Sequence, residues 1–270
     1  MTASYKPRLG EVTDYPERYD PELLVSIPRQ EGRSLLPNVG GFKGVDRWTA
    51  YELSWLDVRG KPQVMIAEFS VPCDSPNIVE SKSFKLYLNS LNQARFQSRL
   101  ELQATLARDL ATGFGVAIEI QMFSLDEYAG LGLTRFPGQC IDELDIETGD
   151  NEPCPSLLKT GTATVTEQLY SHLLKSNCPV TGQPDWASVL IGYSGRQIDH
   201  SGLLRYLVSF RQHQDFHEHC VERIFADLMT QCRPESLTVY ARYTRRGGLD
   251  INPYRTTGQA LPGFDRLARQ

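Results

Sequence analysis

No uninterrupted run of about 18 apolar residues occurs anywhere in the 270 residues, so nothing in the chain reads as a membrane-spanning helix. Positive charge is also in short supply. Lys and Arg number 28 against 33 Asp and Glu, a formal net charge of −5, so the basic face of a general nucleic-acid binder is missing. The opening residues, Met1 to Gly10, have no apolar stretch after their positive charge and do not read as a secretory signal. Cysteine is scarce: six residues at positions 73, 140, 154, 178, 220 and 232 are too irregular for a disulfide framework. A dinucleotide fingerprint is absent too, because Gly113-Phe114-Gly115 lacks the third glycine and follows a helical pattern, not a strand. The expectation is a cytoplasmic protein with reduced thiols that binds neither membrane nor nucleic acid directly. Apolar residues at 40% and aromatics at 10% still suffice for a packed core.

The length suits two domains of roughly 100–150 residues each. Residues 1–45, with prolines at 7, 16, 21, 28 and 37, read as an irregular N-terminal arm. Trp48–Leu56 and Gln63–Val71 read as a hairpin across Arg59-Gly60-Lys61-Pro62. Ser83–Ser90 and Gln93–Ala111 have helical spacing, and Gly115–Phe123 returns to strand. Residues 137–156, rich in Gly, Pro, Asp and Glu, read as a linker. The order then recurs: strands over Thr160–Thr166 and Ala187–Tyr193 with a much longer connection, helices over Ser201–Phe210 and Phe216–Cys232, and a strand over Leu237–Thr244. Lys85-Leu86-Tyr87-Leu88-Asn89-Ser90-Leu91 runs beside Leu204-Arg205-Tyr206-Leu207-Val208-Ser209-Phe210, and Asp109-Leu110-Ala111-Thr112 beside Asp227-Leu228-Met229-Thr230. Two matches in one order predict a tandem duplication with units at 46–136 and 157–270. Each unit is expected to be α+β, an antiparallel sheet with two helices on one face.

Four segments carry candidate chemistry. Cys178 and Asp185 lie seven apart in a stretch held by Pro179, Gly182 and Pro184. A thiolate beside a carboxyl proton donor suits attack on an electrophilic carbon; the ordinary alternative is a buried turn cysteine and a capping aspartate. Val79-Glu80-Ser81-Lys82-Ser83-Phe84-Lys85 opens a helix after a strand, where Glu80 would serve as ordinary helix-start chemistry and Lys82 and Lys85 as a solvated face. Phe216-His217-Glu218-His219-Cys220 opens a long helix. It is not a His-Glu-x-x-His site, because Val221 stands where the second histidine is needed. Arg245-Arg246-Gly247-Gly248 lets backbone and guanidinium approach a phosphate, or is simply a charged loop.

In this order, the Glu80 motif, Cys178 with Asp185, Phe216-His217-Glu218 and Arg246-Gly247 resemble the QueF family, NADPH-dependent nitrile reductases of queuosine biosynthesis for tRNA modification. The resemblance is to the long form and covers the chain from about residue 45 onward. It implies two tunnelling-fold units in one chain, a homodimer, no metal, and reduction of 7-cyano-7-deazaguanine to 7-aminomethyl-7-deazaguanine. By the same resemblance, Cys178 would form a thioimide with the nitrile carbon, Asp185 would supply a proton, and His217 would lie at the nitrile end. Val79, Glu80, Ser81, His217 and Glu218 would hold the base, with Phe216 and Trp186 packed on it. Ser81, Lys82, Arg246 and Gly247 would hold NADPH, consumed twice per turnover. The duplicated counterpart of Glu80 is Asp199, followed by His200 where the first half has Ser81. Two other expectations compete: a zinc-dependent cyclohydrolase or pterin-type enzyme on the same fold, with Cys178, His217 and Cys220 as ligands, and a purine-binding module without catalysis.

Overall fold

The computed structural model describes Pro16 and residues 18–149, 152–258 and 266–270. Residues 1–15 (Pro7 among them) and 17 of the expected arm, residues 150–151 of the expected linker, and residues 259–265 lie outside the described residues. The chain runs through a short strand β1 (Ser26–Pro28), helix α1 (Arg29–Arg33), β2 (Lys43–Leu56), β3 (Pro62–Pro72) and β4 (Asn77–Val79). Helices α2 (Ser81–Ser90) and α3 (Arg99–Phe114), β5 (Glu119–Phe123), α4 (Leu125–Gly130) and β6 (Gln139–Cys140) follow. The second half has β7 (Thr160–Asn177), β8 (Pro184–Ile198), α5 (His200–Val208), α6 (His217–Gln231), β9 (Ser236–Tyr243) and β10 (Leu249–Thr256).

Eight strands form one sheet in the order β5-β3-β2-β10-β9-β8-β7-β6, antiparallel throughout except for β6 on β7. The halves join where β10 pairs with β2, Ile251 opposite Trp48. Side chains alternate across a strand, so the register decides which face each core occupies. Trp48 and Phe69 pack with Phe84, Tyr87 and Leu106, while Val189, Ile191 and Val239 pack with Tyr206, Val221 and Ile224. Tyr254 and Tyr240 pair across β10 and β9 and point the other way, onto Phe136 and Leu267. All four long helices therefore lie on one face, and the α+β, antiparallel expectation agrees with the architecture.

The matched sequence segments take matched places. Tyr87 donates to Asp109 at 2.7 Å and Tyr206 to Asp227 at 2.6 Å. Ser90 and Ser209 each donate to the carbonyl three residues earlier at 2.6 Å. Glu80 caps the N-terminus of α2 as Asp199 caps that of α5.

Several expected boundaries need correction. The helix expected from Gln93 starts at Arg99, because Arg95 bridges to Leu56 and Ser98 caps the helix by accepting from the Glu101 N–H. The strand expected to stop at Thr166 continues to Asn177, so β7 and β8 are joined by the six residues 178–183, not by a long connection. The expected linker contributes a short strand, β6, that extends the sheet edge. Strand β10 and helix α4 were not anticipated from the sequence pattern. The arm is also bonded in: β1 pairs with β4, the Glu80 N–H donates to Val25 O at 2.9 Å, and Arg29 is 1% exposed.

Candidate active site

The β7–β8 connection is cinched at its base. The Cys178 N–H donates to Gln183 O and the Gly182 N–H to Cys178 O, each at 2.9 Å. Gly182 sits at φ +68, a left-handed conformation that a glycine adopts without steric cost. Cys178 leaves the end of β7, and Asp185 stands opposite Ser176 at the start of β8. Both are buried, at 8% and 4% exposure. A cleft of about 330 Å³, open mouth included, gathers Cys178, Asp185, Phe216, His217, Glu218 and Arg246. Val79 and Ser81 from the first half line its other wall. Residues about a hundred positions apart in sequence thus share one concave surface.

His217 begins α6 under three constraints. Its Nε2 lies 3.2 Å from Asp185 Oδ2, its Nδ1 lies 3.3 Å from Ile251 O, and its ring stacks flat on Tyr243, with centroids 3.7 Å apart and planes within 4°. Asp185 is bonded on its other oxygen as well, with Arg246 Nε 2.8 Å from Oδ1. Burial pushes the Asp185 carboxyl up, but His217, Arg246 and Lys85 outweigh it and hold it below the usual range. Glu218 is the opposite case. Burial, then the Asp46 carboxylate, pushes its carboxyl up against the weaker pull of Arg29. Among the described residues no side chain donates a hydrogen bond to it, so an acceptor stands ready for a ligand's donors.

Glu80 lies beside the cleft without lining it. Its carboxylate accepts from the Lys82 N–H at 2.8 Å and the Ser83 N–H at 2.6 Å. Those bonds use part of its acceptor capacity and leave lone pairs over. Lys82 sits in the first turn of α2 and lines neither this cleft nor its neighbour. The neighbouring cleft, about 450 Å³ with its open part, is formed by Glu52, Lys85, Asn89, Asn92 and the Gly247-Gly248 turn. Lys85, expected on a solvated face, is turned inward, and burial followed by the nearby Arg246 charge holds its ammonium down to about 8. Its place three residues after Lys82 was the signal available. Gly247 and Gly248 take φ +59 and +76, and a Cβ on Gly247 would lie 3.3 Å from Lys85 Cδ. A bare turn beside a lysine and an arginine fits a phosphate-bearing ligand. Trp186 does not reach the cleft: it follows Asp185 on a strand, so it faces the opposite way, against the Arg211 guanidinium.

The expected zinc set is not assembled. Cys220 is fully buried in the core of the second half, where burial pushes its thiol far up. Among the described residues, the potential ligands that converge are Cys140, Asp142 and His172 at the β6 edge. All six cysteines are unpaired, and among the described residues no helix is long and apolar enough to cross a membrane.

Two family descriptions match the chain: "Nitrile reductase, 7-cyano-7-deazaguanine-reductase N-term" over residues 15–122, and "QueF-like protein" over residues 184–261. The chain is 55% identical to the NADPH-dependent 7-cyano-7-deazaguanine reductase of Bordetella pertussis over the whole of both chains. It is 54% identical to the protein of that description from Chromohalobacter salexigens, over 97% of this chain and 96% of the relative. Among solved structures, the apo archaeosine synthase QueF-Like matches 37% of this chain and 99% of its own at 16% identity, with a TM-score of 0.32.

Proposed function

Because the chain belongs to the QueF family, we propose that it is an NADPH-dependent reductase of 7-cyano-7-deazaguanine, giving 7-aminomethyl-7-deazaguanine on the route to queuosine. The observation that carries this reading is the meeting of Cys178, Asp185, His217 and Glu218 with Val79 and Ser81 in one cleft.

The residues suit a covalent route. Cys178 sulfur attacks the nitrile carbon, one carbon–nitrogen π bond breaks, and the thiol proton ends on nitrogen, giving a thioimide. Asp185 and His217 carry that proton. With Nδ1–H donating to Ile251 O, the 3.2 Å contact between His217 Nε2 and Asp185 Oδ2 needs one shared proton. NADPH supplies hydride to the former nitrile carbon, and reaching the amine takes four electrons, hence two NADPH. Between the two reductions Cys178 leaves as thiolate. Glu218 accepts the ring N–H and exocyclic amine of the base in a fork, Glu80 adds a second carboxylate beside it, and Phe216 packs on the flat ring. Ser81, Lys82, Arg246 and Gly247 hold the cofactor, and Lys85 joins them from the neighbouring cleft. Units 46–136 and 157–270 each contribute one wall, and the chain acts as a cytoplasmic homodimer.

Intact mass of the protein mixed with 7-cyano-7-deazaguanine alone tests this. A covalent adduct on Cys178 is expected, cleared by two NADPH oxidised per substrate. Cys178→Ala should lose adduct and turnover together, and turnover that survived in that variant would sink the thioimide route.

A further inference from the structure

Arg246 is held at its backbone and bonded at its side chain in two different ways. Its N–H donates to Leu249 O at 2.9 Å, closing a turn whose two central residues, Gly247 and Gly248, are both left-handed. That pattern is a tight two-residue hairpin turn with little freedom. Arg246 itself, by contrast, lines the Cys178 cleft and not the neighbouring cleft that Gly247 and Gly248 line. Nε lies 2.8 Å from Asp185 Oδ1, and NH1 donates to Gln183 Oε1 at 2.6 Å. Gln183 also closes the nucleophile loop, because its carbonyl accepts the Cys178 N–H.

We propose that Arg246 is a two-seat latch, bound to Gln183 and Asp185 in the free enzyme and to a cofactor phosphate in the loaded one, with Gln183 as the positioning residue that sets cofactor affinity. This rests on the reading of Arg246 as a cofactor residue. Nε is engaged by Asp185 and NH1 by Gln183, so each of the guanidinium's two bidentate forks already has a donor group in use. A dinucleotide phosphate that takes a full fork therefore binds only the fraction of molecules in which the latch is open. Apparent affinity falls by that fraction. Opening the latch also strips Asp185 of its Arg246 contact and leaves His217 on the other oxygen. Arrival of the cofactor is thereby felt at the group that handles the proton.

The signature is a gain of affinity on removing a contact. Gln183→Ala leaves the loop-closing carbonyl in place and deletes only the acceptor for Arg246. NADP⁺ should then bind about two- to fivefold more tightly, the range for a solvent-exposed charged contact. Gln183→Leu, closer in size, should do the same. In an Arg246→Met background NADP⁺ binding weakens, and the further Gln183→Ala change should have no effect. Titration of NADP⁺ reads this without any reaction, so a variant that has lost turnover still reports. Unchanged or weaker NADP⁺ binding in both Gln183 variants overturns the latch, as does an equal gain in the Arg246→Met background. A parent protein that forms no adduct and binds no NADP⁺ defeats the functional reading instead.

Discussion

Replacing Arg29 by Met would remove one cation from a charge cluster that joins the N-terminal arm to the start of α6. Arg29 is 1% exposed and donates to Asp46 at 2.5 Å and to Ser75 at 2.9 Å. Asp46 is bonded on its other oxygen to Arg255 at 2.7 Å, and Arg255 also binds Glu222 at 2.8 Å, as Arg33 does at 2.7 Å. Arg29, Arg33 and Arg255 thus face Asp46, Glu222 and the nearby Glu218. Without Arg29, three buried carboxylates share two cations. Breaking a buried pair by removing one partner costs about 3–5 kcal/mol. At about 2–4 °C per kcal/mol for a chain of this size, the melting midpoint should drop by roughly 6–20 °C. Arg33, a fifth exposed at its side chain, should cost less when replaced by Met. The site should respond as well. Arg29 opposes the upward push that burial and Asp46 exert on Glu218, so its loss raises that carboxyl further. If Glu218 holds the base as a carboxylate, as proposed, the acid limb of nitrile binding should move to higher pH. Thermal melting together with binding of 7-cyano-7-deazaguanine across pH measures both effects. A melting shift under about 2 °C, or an acid limb that stays in place, would refute the cluster's double role.

Glu218→Leu should weaken substrate binding about 10- to 100-fold, because two donors of the base lose their acceptor. It should also raise the melting temperature, since a carboxylate disfavoured by burial and by Asp46 is removed; a loss of both affinity and stability would contradict this assignment. Tyr243→Leu deletes the ring under His217 and should lower kcat about two- to tenfold with little change in substrate KM; steady-state kinetics separate the two. Acid stability follows from Asp46, Asp215 and Glu222, where burial raises the carboxyl but bonded cations, histidines among them, outweigh it and hold it below its ordinary value. Their contribution is complete above the unfolded carboxylate range near pH 4 and is lost as pH falls through the lower folded values. Denaturant midpoints should hold from pH 6 down to about 4 and then fall towards pH 2, and a loss beginning above about pH 5 would point to other groups.

Strand and helix identities were legible where periodicity is strong, as in β2, β3, α2 and α6. Their ends were not, because ends depend on partners: α3 starts at Arg99 only because Arg95 is drawn to Leu56. Strand β10 was hidden by its composition. Leu249-Asp250-Ile251-Asn252-Pro253-Tyr254-Arg255 carries polar residues that are buried, Asp250, Asn252 and Arg255 among them. Asp250 accepts from Tyr51 and Arg255 donates to Asp46 and Glu222, all distant in the chain, while Asn252 accepts from the Tyr243 N–H and donates to Asp250. Cys178, Asp185 and His217 stood out in sequence because their residue types have reactive uses. Gln183, Lys85 and Tyr243 did not, since an exposed amide, a helix lysine and a strand tyrosine have ordinary reasons to occur.

A duplication of the proposed units 46–136 and 157–270 would explain why the site takes one wall from each half. Glu80 and Asp199 do the same local work as N-caps, so capping alone cannot account for their different neighbours. After Glu80 the chain places Ser81 in the cleft, whereas after Asp199 it places His200 with its Nε2 3.1 Å from Glu167 Oε1. The first half's β2–β3 turn, the counterpart of the Cys178 loop, has Asp57 accepting from the Arg59 and Lys61 N–H groups and no cysteine. The start of α3, the counterpart of His217 and Glu218, has Ser98 and Glu101 exchanging capping bonds with the helix end. At each of these first-half and second-half counterparts the side chain satisfies its own backbone or a surface partner. Where the α2 start meets the β7–β8 loop and the α6 start, Glu218 is buried with no side-chain donor among the described residues, and Asp185 is buried against His217 and Arg246. A folded chain tolerates such unfavourable placements where function uses them, which supports the proposed chemistry at this junction between the halves.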